Sequence, residues 1–317
     1  MNNAKRWLVP LRLDESDNNF LAYVAFMASQ IKPEYIRFLH VAEPENLPIG
    51  LGHYFSPTSR RSRDDQQLEM KLSVYNHFSS AWDMSFEIVD GKQVQAVLNE
   101  TVAQEIDLTF LSWDGDHSAN QTLTRKIFRK TCSSVCLVPK GFQPKLQSVL
   151  VPVDFSIYSH RALRLAMDLT KRGEVRSVYC QHVFLGANYY QEHLVYTVEE
   201  ALEQARRVKK IESDLQRYFE DELSDYVSAF DLKSRYCLQQ VDSLDHRRES
   251  VHDRILSFAQ IVEPDLLIIG SRGMTGNNSA MLGGVTDNIL RDFPGIPILC
   301  LKRQMENRDL LNSLLDR

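Results

Sequence analysis

Residues 265–276 read Asp-Leu-Leu-Ile-Ile-Gly-Ser-Arg-Gly-Met-Thr-Gly, and residues 282–286 read Leu-Gly-Gly-Val-Thr. An apolar run that stops at glycine is typical of a buried strand that leads into a loop. An amphipathic pattern begins near Val285 and continues through Ile289, which predicts a helix. This order of strand, glycine loop and helix start favours phosphate binding, because glycine lets a ligand come close to the backbone and the first N–H groups of a helix attract anions.

Several strand patterns occur twice, in the same order, in the two halves of the chain. The matched pairs are residues 6–11 with 148–153, 37–41 with 178–183, 107–112 with 265–270, and 134–138 with 297–301. Helical patterns lie between them at residues 20–31, 65–81, 93–105, 161–171, 198–219 and 251–262. Alternation of strand and helix predicts parallel sheets made of βαβ units, and the repeat predicts two copies of one domain.

The fold class is therefore α/β, with two tandem open parallel-sheet domains of Rossmann-like type. The chain of 317 residues is long enough for both. A short turn-rich join at residues 140–145 predicts domains at 1–143 and 144–303, followed by a tail at 304–317. We expect the halves to pack as an internal pseudo-dimer through their last strands, residues 135–138 against 298–301.

Composition excludes several classes of protein. No apolar run approaches the ~20 residues that cross a bilayer, so no membrane span is expected. The first residues lack the apolar core of a signal peptide, and the five scattered cysteines do not suggest disulfides, so we expect a cytoplasmic protein. A net charge of −5, with no basic excess in either half, argues against nucleic acid as a partner.

Three segments leave alternatives open. The charge-rich residues 199–222 are either a solvated helix face or a surface for a regulatory protein partner. Residues 60–63, Arg-Arg-Ser-Arg, are either a loop or a contact with an anionic partner. Leucines 310, 311, 314 and 315 in the tail could dock on the chain itself or on a second subunit, as in a homodimer.

In a parallel sheet, the carboxyl ends of the strands of the second half share one edge, where open α/β sheets bind ligands. Asp154 can accept hydrogen bonds there, apolar side chains can enclose a planar ring, and backbone N–H groups of the glycine loop can face phosphates. Purely structural roles are the alternatives: the glycines could permit tight packing, and Asp154 could cap the next helix. The predicted site residues are Pro152, Val153, Asp154, Val183, Ile269, Gly270, Arg272, Gly273, Gly283, Gly284, Val285 and Thr286.

These residues resemble the universal stress protein family, and the repeat resembles its tandem members. Gly270, Gly273 and Gly283 have the spacing of the nucleotide-binding version, glycine, two residues, glycine, nine residues, glycine. Residues 150–156, Leu-Val-Pro-Val-Asp-Phe-Ser, are similar to the family's first strand. The resemblance implies a stress-response protein that binds ATP or a related adenine nucleotide, with or without Mg²⁺, and that has no dedicated catalytic machinery.

By position, the resemblance implies that Asp154 meets the adenosine moiety and that Val153 and Val183 flank the base. It also implies that Gly270, Arg272, Gly273, Gly283, Val285 and Thr286 surround the ribose and phosphates. One departure is Gly284, where nucleotide-binding members have a hydroxyl residue. Loss of that contact would cost about 1–3 kcal/mol, and Thr286 could partly replace it.

The first half lacks the residues of this predicted nucleotide site. Arg12 stands where the second half has Asp154, and Ser112 stands where it has Gly270. The following residues, Trp113, Asp114, Asp116 and His117, are either turn formers or a different site, such as a metal site. We expect a first domain that is degenerate with respect to nucleotide.

His40 and His182 recur at equivalent places and are expected to pack or hydrogen-bond at strand ends. No catalytic motif occurs elsewhere, so we predict no enzymatic activity beyond, at most, slow ATP hydrolysis. The alternative function is a tandem scaffold, or a binder of another small molecule in the same crevice.

Overall fold

The computed structural model describes residues 5–42, 62–114, 119–172, 175–186, 197–229, 237–244, 250–273 and 282–302, with 119–121 and 237–244 described by their backbone alone. Parts of the predictions lie outside these residues: positions 274–276 of the glycine loop, the pair 60–61, the pair 116–117, and the leucine tail. The chain divides into two compact units. Unit 1 is residues 1–145 with the segment from Pro297 onward, and unit 2 is Leu146–Ile296.

Unit 1 alternates strands and helices, as the repeat predicts. Its elements are β1 Arg6–Leu11, α1 Asp17–Ile31, β2 Tyr35–Ala42, α2 Arg63–Tyr75, β3 Met84–Asp90, α3 Gln93–Ala103, β4 Leu108–Trp113, α4 Ala119–Lys130 and β5 Ser134–Pro139. The strands lie in the order β3-β2-β1-β4-β5, and all of these neighbours pair in parallel. The last strand of the chain, β10 (Ile298–Leu301), pairs antiparallel with β5, with Leu299 opposite Cys136. The predicted pairing of the two last strands is therefore present.

Unit 2 repeats the same order of elements. They are β6 Ser148–Val153, α5 Ile157–Lys171, β7 Ser177–Leu185, α6 Val198–Ser228, β8 Cys237–Leu244, α7 Val251–Val262, β9 Leu266–Gly270 and α8 Gly284–Arg291. The strands lie in the order β9-β6-β7-β8 and pair in parallel throughout. Two α/β units with parallel sheets confirm the predicted fold class.

The apolar strands form the cores because a parallel sheet between helices is buried on both faces. Trp7, Leu8 and Val9 of β1 are fully buried, and so are Leu266, Leu267 and Ile268 of β9. In unit 1 the rings of Trp7 and Phe110 pack with their centroids 4.8 Å apart. This burial explains why the central strands give the clearest pattern in the sequence.

Edge strands and element ends differ most from the sequence predictions. Strand β3 is absent from the matched strand patterns, although its alternation of Met84, Phe86 and Ile88 with polar residues is itself typical of a half-buried strand. Helix α6 continues to Ser228, beyond the predicted end at 219, because Leu223 and Val227 extend its buried face. Within the described parts of the chain, no helix combines the length and the apolar character that crossing a membrane requires.

Candidate functional site

The carboxyl ends of β6, β7 and β9 border a cavity of about 560 Å³ in unit 2. Parallel pairing brings these ends together, since Val153 lies opposite His182 and Leu150 lies opposite Leu267. Every residue predicted for the site lines this one cavity: Pro152, Val153, Asp154, Val183, Ile269, Gly270, Arg272, Gly273, Gly283, Gly284, Val285 and Thr286. The cavity lies at the edge of the sheet where open α/β folds bind ligands.

Asp154 follows β6 and sits in a tight turn. Its Oδ1 accepts a hydrogen bond of 3.1 Å from the N–H of Ser156, and the next residue, Phe155, has a φ of 61°. The helix cap is a different side chain, because the hydroxyl of Ser156 accepts the N–H of Ser159 at 3.2 Å. Asp154 therefore bonds within the turn, while Ser156 caps α5 and the Asp154 carboxylate borders the cavity.

Two glycines of the loop lie in close contacts. A Cβ on Gly270 would lie 2.5 Å from Cβ of Tyr158, so this glycine lets α5 approach β9. A Cβ on Gly273 would lie 2.5 Å from Oδ2 of Asp154. Packing accounts for Gly270, whereas Gly273 allows the loop to lie directly against the carboxylate in the cavity.

Helix α8 begins at the cavity. Gly283 is its N-cap residue and donates its N–H to the carbonyl of Ser271 at 2.7 Å. The first N–H groups of a helix have no partner within it, and here they belong to Gly284, Val285 and Thr286. All three residues line the cavity, so the positive end of the helix dipole is directed at the same space.

The Thr286 hydroxyl does not replace the missing hydroxyl at position 284. It is buried and donates its hydrogen to the carbonyl of Gly270 at 2.9 Å. Its hydrogen is therefore already engaged, which corrects the expectation that Thr286 substitutes as a phosphate donor. No atom of the described residues lies within 4 Å of a Cβ added to Gly284.

Few charged side chains line the cavity, and they carry opposite charges. Among the described residues that line it, Arg272 is the only cation and Asp154 is the only anion. The remaining wall is largely apolar, and Val153 and Ile269 are each only 4% exposed. Such a lining suits a ligand that has a flat apolar part and a few polar groups.

Some lining residues were missed by the sequence reasoning. They are Ser159, Val251, Ile255, Leu282 and Ile289. Val251 and Ile255 are one helical turn apart on α7, so the amphipathic pattern of that helix was a usable signal. The sequence does not show which strand end that helix face covers.

The two recurring histidines form hydrogen bonds at strand ends. His182 Nδ1 donates to the carbonyl of Val153 at 2.9 Å, and His40 Nδ1 donates to the carbonyl of Leu11 at 3.0 Å. Burial lowers the pKa of His182, whose ring packs 4.5 Å from Phe155 between centroids. Neither histidine lines the cavity of unit 2, and both have the predicted hydrogen-bonding role at a strand end.

At the equivalent place in unit 1, the described residues line a small crevice of about 20 Å³, the remnant crevice. Arg12 lines it and forms an ion pair with Asp114. The hydroxyl of Thr124 donates to the carbonyl of Ser112 at 3.3 Å, which repeats the bond between Thr286 and Gly270. The two units therefore share this local scaffold, whereas at this edge of the sheet the described residues form a large cavity in unit 2 and a small one in unit 1.

The acidic loop after β4 offers no metal site among the described residues. Asp114 is engaged by Arg12, and nowhere in the described parts of the chain are three or more His, Cys, Asp or Glu residues grouped so that they could hold a metal ion. Trp113 instead packs against Arg125, whose guanidinium carbon lies 5.3 Å from the ring centroid.

Comparison with known proteins gives one family and a set of similar folds. Residues 145–302 match the model of the universal stress protein family. A universal stress protein from Archaeoglobus fulgidus DSM 4304 aligns over 95% of this chain and 97% of its own, with 17% identity and a TM-score of 0.60. A functionally unknown protein from Pseudomonas aeruginosa PAO1 aligns over 99% and 98%, with 12% identity and a TM-score of 0.65.

A universal stress protein solved in complex with cAMP aligns over 50% of this chain and 98% of its own, with 16% identity and a TM-score of 0.31. None of the curated proteins matches the chain. The two structures that align over the whole chain show that its fold, with both units, occurs in other proteins.

Proposed function

Because the chain belongs to the universal stress protein family through residues 145–302, we propose that unit 2 binds ATP or a related adenine nucleotide for a regulatory purpose. One observation carries the proposal. Residues 152–154, Val183, and members of the segments 269–273 and 282–286 line a single cavity at the start of a helix, although they are distant in the chain. The same cavity therefore combines apolar walls, the acidic residue Asp154, the basic residue Arg272 and the first N–H groups of a helix, which have no partner within that helix.

The adenine ring fits the apolar side of this cavity. Val153 and Ile269 are buried at the ends of β6 and β9, and Val183 completes the wall from β7. Ile255 of α7 adds a further buried surface. A flat ring between aliphatic side chains is held by the removal of apolar surface from water.

The ribose and phosphates fit the polar side. The Asp154 carboxylate can accept hydrogen bonds from ribose hydroxyl groups, as carboxylates do. Phosphate oxygens can accept the N–H groups of Gly284 and Val285, where the dipole of α8 favours negative charge. Arg272 supplies the positive charge on the wall, and Mg²⁺ accompanying the nucleotide would add more.

In this proposal the nucleotide has a regulatory role, because binding without catalysis can still change which conformation is populated. A nucleotide that contacts β6, β7, β9 and α8 together favours the conformation in which these elements are closed around it. A ligand shifts such an equilibrium only by its difference in affinity for the two states. The partner that reads this state is a regulatory protein in this proposal.

The experiment is isothermal calorimetry of the full chain with AMP, ADP, ATP and cAMP, with and without Mg²⁺, together with analysis of nucleotide released on denaturation. Asp154→Ala should reduce the affinity at least tenfold. The matched control is Asp114→Ala, which removes a carboxylate beside the remnant crevice of unit 1 and should leave the affinity unchanged. Absence of both binding heat and released nucleotide from the native chain would refute the proposal.

A second candidate is a cavity for another small molecule. It is favoured by Gly284, which brings no side chain to the helix start, and by Thr286, whose hydroxyl hydrogen is held by Gly270. Because neither residue offers a free side-chain hydroxyl, a phosphate in this cavity would be bound by backbone N–H groups and Arg272. In that case non-phosphorylated planar compounds such as adenosine should raise the melting temperature of the chain more than ATP does.

A further inference from the structure

The turn that carries Asp154 depends on support from the residues around it. It follows β6, and Phe155 within it has a φ of 61°, in the left-handed region that is unfavourable for a residue with a Cβ. Unit 1 has the same conformation at the equivalent place, where Leu13 has a φ of 62°. Such a conformation persists only where the surrounding structure holds it.

The two units hold this turn with different side chains of the following helix. In unit 1 the buried carboxylate of Asp17 accepts the N–H groups of Arg12 at 3.0 Å and Leu13 at 2.8 Å. In unit 2 the equivalent residue is Ser159, whose hydroxyl accepts the N–H of Asp154 at 3.4 Å. This bond is longer and its acceptor is neutral, so α5 holds the turn less firmly than α1 does.

His182 of β7 gives the turn of unit 2 a second support. Its Nδ1 lies 2.9 Å from the carbonyl oxygen of Val153, the residue before Asp154. A carbonyl oxygen can only accept, so Nδ1 carries the hydrogen, and in the neutral imidazole the lone pair is on Nε2. The ring also packs against Phe155, the residue after Asp154, with 4.5 Å between centroids. One side chain therefore holds both neighbours of Asp154.

The surroundings of His182 favour the neutral ring. The residue is only 7% exposed, and its Nε2 is buried without a hydrogen-bond partner in the described part of the chain. Phe219 of α6 packs on the ring with 4.8 Å between centroids. A proton on Nε2 would create a buried donor without an acceptor, which costs free energy. Burial is the main cause that lowers the pKa of His182, against the opposing effects of the Val153 carbonyl and the Asp154 charge.

The ionisable groups on the neighbouring elements leave Asp154 as the anion that a proton on His182 would attract. On α6, Tyr226 stays neutral, because burial raises its pKa to about 12. On α5, burial lowers the pKa of His160. On β7 itself, Cys180 is a buried thiol two residues before His182, and β8 is described by its backbone alone. The charge of Asp154, in contrast, favours a proton on His182.

We propose that His182 is a positioning residue for Asp154 and makes the cavity of unit 2 sensitive to acid. The neutral imidazole holds the turn, so that the Asp154 carboxylate borders the cavity. Protonation releases the turn and draws the carboxylate toward the imidazolium, so that ligand affinity falls in acid. The effect on affinity rests on the nucleotide binding proposed above, whereas the state of the ring and the support of the turn do not.

The direction of the pH dependence follows from the lowered pKa. The unfolded chain binds this proton more readily than the folded chain. The stability that the neutral ring contributes is therefore fully present above pH 6.5 and is lost as the pH falls below that value. Asp17 of unit 1 has the opposite dependence, so each measurement compares the native chain with a variant at the same pH.

The first experiment is a nitrogen-15 NMR titration of the imidazole groups in the full chain, without nucleotide, between about pH 5 and pH 8. The signals of His182 are those that disappear in His182→Asn, or in His182→Phe if the asparagine variant does not fold. They should show hydrogen on Nδ1 and should take up a second proton only below pH 6.5. Hydrogen on Nε2 in the neutral ring, or protonation at or above pH 6.5, would overturn the proposal.

Urea denaturation at about pH 7.5 and about pH 5 tests the support of the turn. His182→Asn keeps an N–H donor near the position of Nδ1 but cannot take up a proton. The native chain should be the more stable at the higher pH, and its advantage over the variant should shrink at the lower pH. An advantage that stays constant or grows on acidification would contradict the proposal.

Calorimetry with ATP at the same two pH values tests the effect on the cavity. The native affinity should fall about tenfold more on acidification than that of His182→Asn, the size of one lost hydrogen bond to a charged group. The matched control is His40→Asn in unit 1, which should keep the native dependence. An equal dependence in the native chain and in His182→Asn would overturn the proposal. If the native chain binds no ATP, the proposed function fails, and the titration and the urea measurements decide the role of His182.

Discussion

Gly273 lies directly against the carboxylate of Asp154, so that a Cβ on Gly273 would come within 2.5 Å of Oδ2. The two residues are far apart in the chain and belong to the loops that follow β9 and β6. Their contact brings the glycine loop against the first strand of unit 2. It joins the two parts of the sequence that most resemble a nucleotide site.

The first prediction tests this contact. Gly273→Ala should destabilise unit 2 by up to about 1 kcal/mol, because the added methyl group meets the end of the Asp154 side chain, which can move, and not a fixed backbone atom. It should also weaken nucleotide binding at least tenfold by moving the loop. Urea denaturation and calorimetry measure the two effects.

The double variant Gly273→Ala with Asp154→Ala provides the control. Removing the carboxylate also removes the clash, so the alanine at 273 should cost less stability in that background. An equal cost in both backgrounds would show that the destabilisation has another origin.

The second prediction concerns the missing hydroxyl. Gly284→Ser should raise the affinity for ATP about tenfold, because a hydroxyl at the start of α8 adds a hydrogen bond to a phosphate. The described part of the structure leaves room for the side chain, since none of its atoms lies within 4 Å of a Cβ added to Gly284. Calorimetry on Gly284→Ser and on Gly284→Ala separates the hydroxyl from the Cβ, and an equal gain in both would contradict this account.

The third prediction uses the repeated threonine. Thr286→Val and Thr124→Val each remove a hydroxyl that donates to the carbonyl at a strand end. Each should therefore cost about 1–2 kcal/mol of stability. Only Thr286→Val should alter nucleotide affinity, because Thr286 lies on the large cavity. Comparable loss of binding in both variants would place the effect outside that cavity.

The fourth prediction concerns pH. Asp17 in unit 1 is buried and accepts the N–H groups of Leu13 at 2.8 Å and Arg12 at 3.0 Å. Burial is the main cause that raises the pKa of its carboxyl from 3.8 to about 6, against the opposing effect of these hydrogen bonds. The folded state therefore holds this proton more tightly than the unfolded state.

This contribution to stability is fully present below pH 3.8 and is lost as the pH rises through 6. Its size is up to about 3 kcal/mol. Asp17→Asn keeps an oxygen acceptor but cannot ionise, so the difference in unfolding free energy between the native chain and this variant should change between pH 4 and pH 6.5. Denaturant titrations across that range measure it, and a constant difference would show that the Asp17 pKa is not raised.

Much of the site follows from local patterns. Two local motifs define most of the site: the spaced glycines Gly270, Gly273 and Gly283, and the residues around Asp154. Most of the residues that line the cavity could therefore be predicted from the sequence. The wall from α7 was missed because an amphipathic helix shows that it has a buried face but not what that face covers. The engagement of Thr286 by Gly270 was missed because it joins residues on either side of the loop.

The sequence by itself determined the order of strands and helices, the duplication of the unit and the place of the glycine loop. Each of these features is encoded by residues that are neighbours in the chain: the periodicity of helices and strands, the position of glycines, and the apolar runs of buried central strands. Only the tertiary structure decided that β10 runs antiparallel to β5, that Gly273 contacts Asp154, and that the described residues form cavities of about 560 Å³ in unit 2 and about 20 Å³ in unit 1. These features depend on side chains that are distant in the chain and meet only when the sheets are assembled, so no local pattern encodes them.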